Sequence, residues 1–234
     1  MILELNDIHT YYGESQALQG VTLSLNEGET VCLLGRNGAG KSTTLKSIIG
    51  LTPPRQGTVT WRGQDITGQP PHRIARLGIG YVPEDRRIFP GLSVRENLEV
   101  AECKGVDGDK RWSVARIFDE YPMLAELADQ DGSTLSGGQQ QMLAVARTLM
   151  IEPRLLLLDE PNEGLAPVIV KQIGALIDAL AATTTIVFTD QSVHFALKHA
   201  QRAYILEKGV VVHEAGSAEL RDDVATQQRY LSVA

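Results

Sequence analysis

The stretch Gly35-Arg36-Asn37-Gly38-Ala39-Gly40-Lys41-Ser42 constrains this chain more than any other. Its spacing, G-x-x-x-x-G-K-[ST], is that of a loop that cradles phosphates. Three glycines let the backbone curl so that consecutive N–H groups face one concavity, which suits an anion. Lys41 can reach β- and γ-phosphates, and the Ser42 hydroxyl can sit on Mg²⁺. A helix that begins here, through Thr43, adds its positive end. Context agrees. Thr30-Val31-Cys32-Leu33-Leu34 reads as a buried parallel strand, and Ser42 to Ile49 as a helix stopped by Gly50. The chain is therefore expected to bind a nucleoside triphosphate.

The 234 residues allow one large core with a small appended lobe. Net charge is −7 and the pI about 5.3, which argues against a nucleic-acid-coating surface. Cys32 and Cys103 form no spaced motif, and Cys32 in its apolar strand reads as a small buried hydrophobe. No signal peptide is visible from Met1 to Glu4, and no eighteen apolar residues run together. Any work at a membrane is expected to be peripheral.

Residues 2–26 read as an antiparallel lead-in, in which Val21, Leu23 and Leu25 alternate with polar neighbours. Tyr11-Tyr12-Gly13 falls between this strand and the one before it. Thr58 to Trp61 and Gly78 to Val82 read as further strands. From about 86 to 134 the period becomes helical. Ser93-Val94-Arg95-Glu96 is a capping box, and Gly105 to Asp109 a polar turn. This segment is expected as a helical subdomain inserted in a single domain spanning 1–234. Later, Leu155 to Leu158 and Thr185 to Thr189 read as buried strands, and Pro167 opens an amphipathic helix. Ala203 to Leu206 and Val210 to Val212 make a hairpin about Lys208-Gly209, and 217–234 form a helical tail. The alternation predicts an α/β fold, a mostly parallel sheet with helices on both faces.

Two further strings bear on chemistry. Asp159-Glu160 ends a buried strand, where ligands bind in open α/β sheets. Asp159 would hold Mg²⁺ through water, and Glu160 could polarise a water for in-line attack on a γ-phosphate. Leu135-Ser136-Gly137-Gly138-Gln139-Gln140 starts another helix, presenting a hydroxyl, N–H groups and a helix dipole to phosphate.

With the phosphate loop and Asp159-Glu160 in order around it, this string resembles the signature motif of ABC-type ATPases. The resemblance implies that two cassettes sandwich two ATP molecules head to tail, Ser136 to Gln139 serving the nucleotide held by the other subunit. It implies that Tyr12 stacks on adenine, with Tyr11 the alternative and a core tyrosine the plain reading. Glu84 falls where most members carry a glutamine touching Mg²⁺ and water. Gln191 stands where most carry a switch histidine. It can donate a hydrogen bond to a γ-phosphate but cannot titrate near neutral pH. His194, three residues on, reads first as a helix-face histidine and second as a substitute switch. Ala166 replaces the aspartate that usually ends its loop.

Tyr81-Val82-Pro83-Glu84, Arg86 to Pro90, Leu92 to Leu98 and Gly164-Leu165-Ala166-Pro167 resemble the second ATPase subunit of branched-chain (hydrophobic) amino acid importers. That branch implies ATP and Mg²⁺ as cofactors and a second ABC ATPase as partner, in a hetero- or homodimer. It also implies membrane permeases, an extracytoplasmic binding protein and a place on the cytoplasmic face of the cell membrane. Asp85, Asn162-Glu163 and Asp190 depart from the branch's usual residues and leave the cargo open. A urea or short-amide importer and a lipopolysaccharide exporter are the alternatives, the exporter being expected to keep the histidine. A non-transport ABC protein fits less well, since the chain has one cassette and no sustained heptads. A cassette that binds ATP without hydrolysing it fits less well too, since Glu160 is present.

Overall fold

The computed structural model describes residues 1–108 and 110–231. Asp109 of the expected polar turn and 232–234 of the expected tail lie outside them. In chain order the elements are β1 (Leu3–Tyr12), β2 (Ser15–Leu25), β3 (Thr30–Leu34), α1 (Lys41–Ile48), β4 (Gln56–Trp61), β5 (Gln64–Asp65), α2 (Pro71–Arg76) and β6 (Ile79–Val82). Then come α3 (Val94–Glu99), α4 (Val114–Glu120), α5 (Pro122–Glu126), a 3-10 turn (Gly132–Thr134) and α6 (Gly137–Leu149). The chain continues through β7 (Leu155–Leu158), α7 (Pro167–Leu180), β8 (Thr185–Asp190), α8 (Val193–His199), β9 (Arg202–Glu207), β10 (Val210–Gly216), α9 (Ser217–Asp222) and α10 (Val224–Tyr230).

Two sheets form. One is antiparallel, in the order β2-β1-β4-β5; the other runs β10-β9-β3-β8-β7-β6, parallel except at its β10 edge. Side chains of a strand alternate between faces, and here both faces of the parallel sheet are covered. Val31 and Leu33 of β3 point into the core between the sheets, where α1 adds Leu45 and Ile48. Cys32 and Leu34 point the other way, among Leu143 of α6 and Ile177 of α7. That is why β3, β7 and β8 are buried at every position, while β2, with one face nearer solvent, alternates.

The helical segment packs on the second face. Val94, Leu98, Ile117 and Leu124 share one apolar cluster with Leu34, Leu156 and Leu158. The capping box at Ser93 is formed: Glu96 N–H donates to Ser93 Oγ at 3.2 Å, and Ser93 N–H to Glu96 Oε2 at 2.7 Å. Tyr11 and Tyr12 lie within the end of β1 rather than between strands, and Gly13, at φ 58°, takes the turn. Among the described residues no helix is long and apolar enough to cross a membrane.

Candidate functional site

The parallel sheet delivers its C-terminal strand ends to one rim. At the end of β3 the chain turns through Gly35, Gly38 and Gly40 at φ 154°, 77° and 108°. A Cβ on Gly35 would lie 2.4 Å from the Leu206 carbonyl oxygen, and one on Gly40 2.8 Å from a Leu18 methyl. The glycines thus let the loop press against β9 and β2. No side chain caps α1 behind Gly40, so its first N–H groups are available to an anion. Lys41 folds back into the loop, its Nζ donating to Gly35 O at 2.9 Å and lying 3.0 Å from Glu160 Oε1.

The rim of β7 carries the carboxylates. Asp159 is buried and doubly anchored: Tyr81 Oη donates to Oδ2 and Thr189 Oγ1 to Oδ1, both at 3.0 Å. Burial, and then the Asp159 charge, push the Tyr81 phenol far up, so it remains a donor. Glu160 N–H donates to the same Thr189 hydroxyl at 2.7 Å, which holds Glu160 in a left-handed conformation at φ 43°. Gln191 Nε2 donates to Glu160 Oε2 at 3.0 Å. Burial pushes the Glu160 carboxyl upward, but hydrogen bonds from Glu163, Lys41 and Gln191 outweigh it and keep the group below the ordinary glutamate range. The cost falls on Glu163. Its hydrogen bond with Glu160 and that charge, followed by burial and Glu84, push it up to about 7.

A stability consequence follows. Glu163 ordinarily titrates at 4.5 and in the fold at about 7, so between these values the folded chain holds more protons than the unfolded one. Stability contributed by protonated Glu163 is present at pH 4.5 and is lost as pH rises through 7. Glu163→Gln should flatten that part of a melting-temperature profile; an unchanged slope would show that Glu163 does not titrate there.

Tyr12, Lys41, Ser42, Thr43, Glu84 and Glu160 line one cavity of about 680 Å³ with Asn37 to Gly40, Glu163 and Lys208. Tyr12 is half exposed, its Oη 3.5 Å from Thr43 Oγ1, leaving a ring face for a planar base. The donor set suits Mg²⁺. Among the described residues no three His, Cys, Asp or Glu side chains group into a cage, while the Ser42 hydroxyl and Glu84 line the cavity and the fixed Asp159 carboxylate precedes Glu160 at the end of β7. Magnesium takes few protein ligands and completes its shell with water and substrate phosphate.

Ser136 to Gln139 do not line this cavity. Ser136 is exposed and caps α6 in a second capping box with Gln139, at 2.8 Å and 3.4 Å. A Cβ on Gly137 would meet the Arg86 guanidinium at 2.9 Å, and one on Gly138 would meet Ile169 at 2.8 Å. Gln191 reaches the site through Glu160, whereas His194 is exposed on α8 and lines no wall of the cavity. Tyr81 and Thr189 beside Asp159, and Ser15, Gln16, Ala17, Gln19, Glu163 and Lys208 on the cavity wall, were not among the expected site residues. Only the pair Asn162-Glu163 stood out there, as an unusual filling of its loop.

A family model described as ABC transporter matches residues 18–163, more than half of the chain. The branched-chain amino acid transport ATP-binding protein BraG of Pseudomonas aeruginosa is 42% identical over 94% of this chain and 95% of its own length. The arginine transport ATP-binding protein ArtP of Escherichia coli is 39% identical over 99% and 100%. The lipopolysaccharide export ATP-binding protein LptB of Acidithiobacillus ferridurans is 35% identical over 98% and 96%. Among solved structures, the dimeric ATP-binding cassette MJ0796 bound to ADP and Pi superposes with a TM-score of 0.79 at 28% identity, covering 92% of this chain and 99% of that one. The chain belongs to the ABC transporter family, as an ATP-binding cassette that hydrolyses ATP. It is the ATP-binding subunit type, one cassette carried without a membrane span among its described residues.

Proposed function

We propose that this chain powers uptake of branched-chain amino acids, working peripherally on the cytoplasmic face of the membrane. Its partners are a second ABC ATPase, permease subunits and, through them, an extracytoplasmic binding protein. The observation that carries the ATPase mechanism is the Glu160 carboxylate, held at the cavity between Lys41 and Gln191. For the cargo, support comes from BraG, alike from end to end, and from glutamine at position 191 where the export relative is expected to keep histidine.

In this reading ATP lies along the cavity with its adenine on Tyr12 and its phosphates on the N–H groups of Gly38 and of Gly40 to Thr43. Lys41 exchanges Glu160 for the β- and γ-phosphates. The freed Glu160 oxygen accepts a proton from the attacking water as the new P–O bond forms and the bond to the β-phosphate oxygen breaks; Gln191 steadies the other oxygen. Ser42, Asp159 and Glu84 are the residues that would hold Mg²⁺, which neutralises developing phosphate charge. Ser136, Gly137, Gly138 and Gln139 serve the partner's γ-phosphate, consistent with their place outside their own cavity and with the exposure of Ser136.

A permease element has a surface to grip. An apolar groove of about 470 Å³ is lined by Ile49, Leu51, Ala75, Phe89 and Val100, of which Leu51, Phe89 and Val100 are exposed. Phe89 lies five residues beyond Glu84, so one loop touches both the groove and the nucleotide cavity. Leu51→Glu combined with Val100→Glu should keep ATP binding yet lower co-purified permease by about tenfold, since each charge must be desolvated to dock. Tracer uptake in cells lacking the chain tests the cargo: loss of leucine uptake with arginine and urea uptake intact is expected. Intact leucine uptake would overturn the assignment.

A further inference from the structure

We infer that Lys208 is a nucleotide-binding cation that holds the end of the polyphosphate remote from the reacting bond. The inference rests on the reading that the cavity takes ATP, and it adds a residue that none of the sequence motifs contains. Lys208 sits at the tip of the β9–β10 hairpin and lines the cavity with Ser15, Gln16 and Gln19. The lining carboxylates, Glu84, Glu160 and Glu163, stand instead with Lys41, whose charge Glu160 engages. Among the described residues the Lys208 ammonium has no ion pair or hydrogen bond.

The backbone under Lys208 is built to hold it there. Gly209 N–H donates to Ala39 O of the phosphate loop at 2.9 Å, and Gly209 O accepts from Gln19 N–H at 2.7 Å. Gln19 Nε2 donates to Lys208 O at 2.9 Å. A Cβ on Gly209 would lie 2.3 Å from Ala17 O, so only glycine lets the hairpin close onto β2. Lys208 and Gly209 are both left-handed, at φ 49° and 79°, as the two central residues of a tight primed hairpin turn must be. The hairpin tip is therefore clamped to the loop that cradles phosphate and to the strand beside Tyr12, and it sets the exposed Lys208 on the cavity wall beside them. A ligand carrying a base on Tyr12 and its terminal phosphates at Lys41 places its α-phosphate along this wall.

Lys41 serves the β- and γ-phosphates, whereas a cation at the α-phosphate serves ATP and ADP alike. Titrations of the intact chain with ATP and with ADP, at low and at high salt, test this. Wild-type binding tests the cavity reading on its own. Lys208→Ala should weaken both nucleotides by about five- to tenfold, the size expected for one partly solvated charge-assisted contact. Lys208→Arg should restore most of the affinity, and Lys208→Glu should weaken binding further than alanine. The difference between Lys208→Ala and wild type should shrink at high salt, and the loss in kcat/KM should appear in KM. Equal affinities for wild type and Lys208→Ala would overturn the assignment. So would a loss confined to ATP, which would put the ammonium at the γ-phosphate, and so would failure of arginine to rescue, which would make the lysine a structural part of the hairpin.

Discussion

Glu160→Gln is expected to bind ATP more tightly than the parent chain and to hydrolyse it at least about a hundredfold more slowly, the lower range for removing a general base. The amide keeps the length of the side chain and can still accept the hydrogen bond that Gln191 gives to Glu160 Oε2. It cannot take a proton from water. It also loses the ion pair with Lys41 at 3.0 Å, so without nucleotide two donors face each other in the loop. ATP relieves that conflict, because its phosphates give Lys41 a new anion. The variant should therefore melt below the parent when nucleotide-free and gain more from added ATP, a difference that a thermal-shift titration reads directly. With Mg-ATP it should also accumulate a dimer on size exclusion, because the step that reopens the sandwich has been removed. Normal phosphate release would place the base elsewhere, and Glu163, the neighbouring carboxylate pushed up to about 7, would be examined next.

What the sequence made legible is what depends on local pattern. The β3, β7 and β8 strands are buried at every position because both faces of their sheet are covered, which left short apolar runs to read in each. The phosphate loop announces itself because its spacing is dictated by backbone geometry. The box at Ser93 is readable since Ser and Glu stand three apart before an apolar pair. Helix α2 went unread because six residues give too little periodicity to see, and α8 showed only as the helix face assigned to His194. Tyr81 and Thr189 were invisible for another reason. They meet Asp159 only because β6, β7 and β8 lie side by side in parallel register, with Tyr81 opposite Leu157 and Phe188 opposite Leu158. Glu163 reaches Glu160 through a turn whose first residue is left-handed, and nothing in a string of letters marks glutamate for that conformation. Lys208 lies far along the chain from Ala39 and comes beside it when the hairpin docks. Non-local register and loop strain, rather than residue type, decided which side chains completed the site.

Lys41→Ala should do more damage than its single lost contact suggests. Lys41 is almost wholly buried and Glu160 nearly so, and deletion of one member of such a pair strands the other. Here the stranded carboxylate keeps the hydrogen bond from Gln191 and opens onto a cavity that water can fill. The stability loss should thus be about 1–2 kcal/mol, below the usual range for breaking a fully buried pair. For a chain of this size that lowers the melting temperature by about 3–6 °C. The loop loses its internal tie as well, since Lys41 also donates to Gly35 O and Arg36 O at 2.9 Å and 3.3 Å. Turnover should fall by about 10²–10³, the usual effect of deleting one donor aimed at developing charge. ATP affinity should weaken more than ADP affinity, because the γ-phosphate loses its cation. Lys41→Arg separates the two roles. A guanidinium keeps the charge beside Glu160 and should recover most of the melting temperature, but its planar fork does not fit where a compact ammonium reaches between Gly35 O and the phosphates. Turnover should stay low in that variant. Recovery of full turnover with arginine would mean that charge alone suffices at this position. Full turnover in Lys41→Ala would reduce Lys41 to a clamp on its own loop, and the ion pair with Glu160 would then be a structural feature of the resting fold.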